Sequence, residues 1–74
     1  MAGELELDHQ RGRYSIELFR EGGEGEGIET ELARENRLDV AHTLYELMCT
    51  QHPGRLVMLC NKAQVVRRSD RGVL

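Results

Sequence analysis

The chain has 74 residues, of which 39% are hydrophobic and 31% charged, a composition typical of one small folded domain rather than a disordered segment. Its net charge of −3 disfavours a protein whose main partner is nucleic acid. It has two cysteines, no apolar run near the N-terminus and no stretch of about 18 apolar residues. These features favour a cytoplasmic protein over a secreted, disulfide-bonded or membrane-bound one.

The charges are unevenly distributed along the chain. Residues 1–37 carry ten acidic and five basic residues, whereas residues 38–74 carry three acidic and five basic ones. Three of the basic residues lie close together near the C-terminus, at Arg67, Arg68 and Arg71. This segment supports one functional alternative, a small nucleic-acid-associated protein using the basic C-terminal strand. The lack of tryptophan and the few aromatic residues available to stack on bases argue against it.

The N-terminal half predicts a flexible segment followed by a hairpin. Residues 1–13 alternate only weakly and are predicted to be flexible. Residues 14–20 and 28–33 have apolar side chains at alternate positions, which predicts two antiparallel strands. Between them, residues 21–27 contain four glycines and three glutamates. We predict that this glycine loop is mobile and lacks long-range contacts, because it offers no apolar side chain to the core.

The next segment has the clearest helical pattern. Asn36 is a good N-cap residue, and Asp39 stands three residues later, where a carboxylate favours the positive end of a helix. Apolar residues then recur over an arc of roughly 200° around the helix axis. The pattern ends at Pro53, which cannot continue a helix. The apolar arc is wider than packing on one sheet requires.

Two further strands are predicted after the helix. Residues 56–60 are all apolar, the pattern of a strand that is buried on both faces. Residues 63–68 return after a tight turn, and residues 69–74 are predicted to be a frayed tail. The order β-β-α-β-β predicts an α+β domain over residues 14–68. It contains one antiparallel-rich sheet with a single helix packed on one face.

Three features of this layout carry a resemblance: the helix start, the Pro-Gly stop and the closing strand. They lie at residues 33–41, Pro53-Gly54 and Ala63-Gln64-Val65. With them the chain resembles a group of small bacterial proteins built from a β-hairpin, a helix and a second hairpin. The resemblance covers residues 14–70 and implies the same layout. Because that group has no assigned activity, it implies no catalytic residue, cofactor or partner.

The cysteines and histidines are the candidate metal ligands or nucleophiles. Cys49 and His52 lie three residues apart on the helix, and Cys60 offers a third ligand for a tetrahedral zinc ion. His42 lies about 10 Å along the helix axis from Cys49, too far to bind the same ion easily. Because both cysteines lie within apolar runs, we interpret them as reduced, buried core residues. We therefore predict no metal, no cofactor and no catalytic residue.

The glycine loop also fails as a phosphate-binding loop. Its glutamates would repel a phosphate, and no Lys-Ser or Lys-Thr pair follows it at the start of a helix. No sequence motif therefore predicts an enzyme.

The remaining hypothesis is an interaction surface. Residues 56–60 place apolar side chains on both faces of a sheet, and one helix covers only one face. The pattern leaves open which face meets the helix. We predict an exposed apolar sheet face, with Phe19, Val57, Leu59 and Val66 as the candidate interface. The favoured function is a non-catalytic protein-interaction or self-associating module, acting as a homodimer or with an unknown protein.

One alternative to this surface stays open. Residues 1–13 contain Leu5 and Leu7, which could fold back and cover the apolar face. In that case the face is part of the core of a monomer.

Overall fold

A computed structural model of the chain describes residues 12–71, which form a four-stranded sheet and one helix. The elements are β1 (Tyr14–Phe19), β2 (Ile28–Glu35), α1 (Leu38–Gln51), β3 (Val57–Asn61) and β4 (Gln64–Arg68). Two short 3-10 turns occupy Glu24–Glu26 and Ser69–Arg71. The predicted β-β-α-β-β order and the α+β class are confirmed. Most of the predicted flexible N-terminal segment, residues 1–11, lies outside the described residues.

The sheet has the order β2-β1-β3-β4, and every neighbouring pair is antiparallel. β1 and β3 therefore lie in the centre, and β2 and β4 are the edges. Ile16 pairs with Leu59, and Leu18 pairs with Val57. Because side chains alternate along a strand, these four residues project to the same face of the sheet.

The helix packs on this face and contacts β1, β2 and β3. It contributes Ala41 and Tyr45 to a buried cluster with the central strands, in which Ile16, Val57 and Leu59 are fully inaccessible. The pattern of apolar residues at every third or fourth position of the helix brings these side chains to one side. The main core therefore lies between the helix and the two central strands.

The helix begins without the predicted side-chain cap. Arg37 is the N-cap residue, and the Asn36 side chain makes no capping hydrogen bond. The Glu35 carboxylate instead accepts hydrogen bonds from the N–H groups of Asn36 and Arg37, at 2.9 and 3.4 Å. The Asp39 carboxylate accepts one from Val40 at 2.9 Å. The long strand β2 explains the difference, because it extends to Glu35 and places this carboxylate beside the free N–H groups at the helix start.

Asp39 has the predicted position in the first helical turn. The Val40 N–H lowers the pKa of its carboxyl group, and so does the Arg37 guanidinium, at 2.8 Å. At its other end the helix closes with a hydrogen bond from the His52 N–H to the Met48 carbonyl. Among residues 12–71, no helix has the length and the apolar character needed to cross a membrane.

The glycine loop is held by contacts that its composition does not predict. Its centre, Glu24–Glu26, forms a 3-10 turn between Gly23 and Gly27, which have φ angles of 92° and 88°. Arg68, from the far end of the chain, donates a hydrogen bond to the Glu24 carboxylate at 2.9 Å. Arg20 donates one to the Glu26 carbonyl at 3.1 Å. The prediction of a loop without long-range contacts is therefore wrong.

The ordered part of the domain extends beyond its predicted end at residue 68, because Ser69 forms hydrogen bonds with the start of β3. The Ser69 hydroxyl accepts a hydrogen bond from the Val57 N–H at 2.9 Å and donates one to the Arg55 carbonyl at 3.1 Å. These two bonds attach the final 3-10 turn to the start of β3. The predicted tail over residues 69–74 is therefore too long at its beginning, and residues 72–74 lie outside the described part.

The turn between β3 and β4 contains the one residue other than glycine with a positive φ among those described. Lys62 has a φ of 57°, a conformation that costs a residue with a Cβ about 1 kcal/mol. We expect Lys62→Gly to raise the free energy of unfolding by about 0.5–1 kcal/mol in urea denaturation. Ala63→Gly is the matched control, because Ala63 has no positive φ, and it should lower that free energy. Equal effects of the two variants would contradict the turn geometry.

Candidate functional site

The structure separates the four residues of the predicted interface. Val57 and Leu59 lie beneath the helix and are 0% exposed, so this part of the prediction is wrong. They project to the same side as Ile16 and Leu18 of β1, and the helix packs on that side. Phe19 lies on the opposite face of the sheet, where it is also buried. Only Val66, on the edge strand β4, is exposed, at 38%.

The face opposite the helix carries a second apolar cluster. Its members are between 3% and 8% exposed. They are Phe19, Leu56, Met58 and Cys60. Because these side chains are already shielded from solvent, the face does not offer the exposed apolar patch that the sequence predicts. The alternative cover, Leu5 and Leu7, lies outside the described residues.

One side of the helix carries apolar side chains that are at least partly exposed. Leu47 is 47% exposed, and Val40 and Leu44 are half-buried. At about 100° per residue these three side chains fall within roughly 60° of one another around the axis. We call them the helix stripe. Leu47 is the exposed member of the stripe, whereas Leu44 also packs against the main core. A second exposed leucine of the helix, Leu38 at 42%, lies on a different side.

Both edge strands have features that oppose the addition of another strand. β2 has two irregularities in its pairing with β1 and carries three glutamates. β4 has one irregularity in its pairing with β3 and ends in Arg67 and Arg68. Bulges and charged side chains are common ways in which natural sheets block edge-to-edge pairing. The exposed Val65 and Val66 on β4 are therefore less suited to docking than the helix stripe.

A cleft of about 780 Å³ lies at one end of the sheet. Its walls are the start of the glycine loop, the C-terminal end of the helix and the 3-10 turn after β4. Three arginines line it, Arg20, Arg55 and Arg68, together with His52 and Ser69. The arginines lie close together because the last residue of β1, the first of β3 and the last of β4 are at the same end of the antiparallel sheet.

The two arginines beside β3 and β4 are fixed by hydrogen bonds within the chain. Arg55 donates to the Phe19 carbonyl at 2.7 Å and also binds the Glu29 carboxylate. Arg68 binds Asp70 through two parallel hydrogen bonds, of 2.7 and 2.8 Å. The bonds to Asp70 and then to Glu24 raise the pKa of Arg68 above its ordinary value. Both guanidinium groups are therefore held in fixed orientations by hydrogen bonds.

In the described part of the chain, the two cysteines and His52 are distributed over the two apolar clusters and the cleft. Within residues 12–71 no group of three or more histidine, cysteine, aspartate or glutamate side chains is arranged to hold a metal ion. Cys49 packs against the main core, whereas Cys60 belongs to the cluster on the opposite face. Cys60 is buried as predicted, but Cys49 is only half-buried and lines the cleft. Both are free thiols.

The Cys60 thiol is in an environment that disfavours the thiolate. Burial raises its pKa, and the Glu17 carboxylate, whose Oε1 lies 3.8 Å from Sγ, raises it further. Thiolate is the reactive form of cysteine, so this position is unsuited to nucleophilic chemistry.

A cluster around Arg67 joins the helix to β4. The Arg67 guanidinium lies 4.5 Å from the centroid of the Tyr45 ring, within cation–π distance. Its Nη1 donates to the Glu46 carboxylate at 3.1 Å and lies 3.3 Å from His42 Nδ1. Burial raises the pKa of Tyr45 to about 12, with a further increase from Cys49 and an opposing effect of Arg67. The cluster contains His42, which the sequence analysis considered as a metal ligand, and Arg67, which belongs to the basic C-terminal segment.

Comparison of the chain with protein-family models, with curated proteins and with solved structures finds no match. The resemblance to small bacterial proteins therefore stays a prediction, and the functional argument depends on the geometry of the described residues.

Proposed function

We propose that this domain is a non-catalytic interaction module that self-associates through the helix stripe. The observation that carries the proposal is the exposure of Leu47, which leaves nearly half of a large aliphatic side chain in contact with water. Val40 and Leu44 extend the same surface along the helix. The spacing of four and then three residues is the one by which a helix packs its apolar side chains against another helix.

A second copy of the chain is the partner that these residues suit. In an isologous pair each stripe faces an identical one, so like charges at its border would oppose association. The neighbouring exposed side chains on the helix are Thr43, Thr50 and Gln51, which are neutral. The helix acids are directed elsewhere: Glu46 binds Arg67, and Asp39 binds Arg37. Two stripes can therefore approach without charge repulsion.

The size of the stripe sets the expected strength of the dimer. Burying a whole leucine side chain stabilises by about 1.5–3 kcal/mol, so the exposed half of Leu47 contributes about 1 kcal/mol in each copy. With the exposed parts of Val40 and Leu44, the gross gain is of the order of 3–5 kcal/mol. Even before the entropic cost of association is subtracted, this gain corresponds to a dissociation constant of about 0.2–6 mM, so we expect a weak dimer with a dissociation constant of about 1 mM or higher.

The nucleic-acid alternative has less support from the same residues. Arg67 and Arg68 are the basic side chains of the C-terminal strand, and both bind carboxylates of the chain itself. A phosphate backbone would have to replace these bonds. We therefore propose no second function.

The test is sedimentation equilibrium at concentrations from about 50 µM to 5 mM, a range that extends above 1 mM because the expected dimer is weak. We expect the average mass of the wild type to rise with concentration towards that of two chains. Leu47→Lys should stay close to the mass of one chain, because it places a charge in each stripe. Lysine has nearly the helix propensity of leucine, so the exposed position tolerates the change without unfolding.

Gln64→Lys is the matched control, since Gln64 is an exposed residue of β4 and adds the same charge away from the helix. It should associate like the wild type. A wild type that stays monomeric at about 5 mM, or a Leu47→Lys variant that associates equally well, would overturn the proposal.

A further inference from the structure

The cleft at the end of the sheet holds two guanidinium groups that are already oriented. The side chains of Arg55 and Arg68 are 25% and 19% exposed, and each is attached to the chain at more than one point. Guanidinium groups bind carboxylate and phosphate oxygens through their planar arrangement of N–H donors. A group that is fixed beforehand loses little conformational entropy when such a ligand binds.

Additional donors lie beside these two arginines. Arg20 lines the same cleft, and its one hydrogen bond within the described residues goes to a backbone carbonyl, that of Glu26. Arg55 Nε is buried and has no hydrogen-bond partner. A buried donor without an acceptor is costly, and an acceptor brought close to it would stabilise the site.

One anionic group already occupies part of the cleft, and it is easily replaced. The Glu24 carboxylate binds Arg68 Nη2 at 2.9 Å, but its side chain is 60% exposed. Exposed ion pairs of this kind contribute roughly 0–1 kcal/mol. The carboxylate is carried on a short turn whose flanking residues, Gly23 and Gly27, have positive φ angles that glycine adopts without strain. The backbone of the turn is held by its own hydrogen bonds, but the exposed Glu24 side chain can rotate away from Arg68 at low cost.

We propose that the cleft binds a small oxyanion, a carboxylate or phosphate group, which takes the place of the Glu24 carboxylate at Arg68. The Glu24 side chain is then the movable part of the site and an internal competitor of the ligand. Exchange of one anion for another leaves the charge around Arg68 nearly unchanged, so the acidic lining residues Glu21 and Asp70 do not prevent it. This site is independent of the helix stripe.

The test is a titration of the ¹⁵N-labelled full chain with sodium phosphate and, separately, with sodium acetate, at constant ionic strength. We expect saturable changes in amide chemical shift at Glu24, Arg68 and Ser69. Glu24→Gln removes the competitor and should strengthen binding up to about fivefold, which corresponds to the free energy of an exposed ion pair. Arg68→Gln should abolish saturable binding.

Arg34→Gln is the matched control, because Arg34 forms an exposed ion pair with Glu31 outside the cleft. It should bind like the wild type. Arg68→Lys keeps the charge and should retain weakened binding, even if Arg68→Gln disturbs the fold. Saturation by both anions or by one identifies the oxyanion that the cleft accepts. Absence of saturation, shifts spread over all arginines, or no strengthening in Glu24→Gln would overturn the proposal.

Discussion

Leu59→Ala is expected to lower the free energy of unfolding by about 2–5 kcal/mol, which is the usual cost of truncating a fully buried leucine. Leu59 has no exposed surface and lies on the central strand β3, in the core beneath the helix. A domain of this size has a total stability of only about 3–5 kcal/mol. We therefore expect the variant to be largely unfolded at room temperature when it is monitored by circular dichroism.

Val66→Ala provides the comparison for this experiment. Val66 follows the same apolar pattern in the sequence but is exposed on β4, so its truncation should change stability by less than about 0.5 kcal/mol. Urea denaturation of both variants measures the difference. Similar values for Leu59→Ala and Val66→Ala would mean that the helix does not cover the face assigned to it.

The second large effect is expected at alkaline pH. The pKa of Tyr45 is raised from an ordinary value of 10 to about 12, first by burial and then by Cys49. Between pH 10 and 12 the unfolded chain loses this proton and the folded chain retains it. Since the unfolded state then binds fewer protons, stability falls as the pH rises. The loss reaches about 2–3 kcal/mol when the pH passes the folded-state pKa.

Tyr45→Phe removes the ionisable group and should reduce the alkaline loss of stability. The Cys60 thiol, whose pKa is also raised, acts in the same direction, so the informative quantity is the difference between Tyr45→Phe and the wild type. The chain has only two tyrosines, and a Tyr14→Phe variant leaves Tyr45 as the sole source of tyrosinate absorbance. A titration midpoint near 10 in that variant would contradict the buried environment.

The secondary structure could be predicted from local patterns. Period-2 alternation in β1, the apolar run of β3 and the helical arc between Asn36 and Pro53 each specify an element by its own residues. The two hairpins follow because adjacent antiparallel strands need only short connections. The central pairing of β1 with β3 joins distant parts of the chain, and local patterns do not specify it. Element boundaries differ from the predicted ones by two residues or fewer, and the largest extension is β2, which continues to Glu35.

The choice of the face that the helix covers could not be predicted in this way. Leu56 to Cys60 are apolar at every position, so alternation sorts them into two sets without saying which set meets the helix. Val57 and Leu59 were interface candidates for this reason. Packing against Ala41 and Tyr45 decides the matter, and those contacts join distant parts of the chain.

The prediction that the glycine loop lacks long-range contacts was wrong for a related reason. Its composition has no apolar anchor, but a loop can also be held by charge, and its partner Arg68 lies 44 residues away. The grouping of the three arginines at the cleft follows from the topology of the sheet. Arg20 follows β1, Arg55 precedes β3 and Arg68 ends β4. In an antiparallel sheet with this strand order, these three positions lie at the same end of the sheet. That pattern becomes informative only after the strand order is known.

In the proposed dimer, two copies of the chain pack against each other through Val40, Leu44 and Leu47. The most direct measurement is a dilution series of the ¹⁵N-labelled wild type, from about 1 mM to 20 µM, followed by amide chemical shifts. We expect concentration-dependent shifts along the exposed side of α1, centred on Leu47, with little change in β4. Shifts centred on Val65 and Val66, or no dependence on concentration, would contradict it.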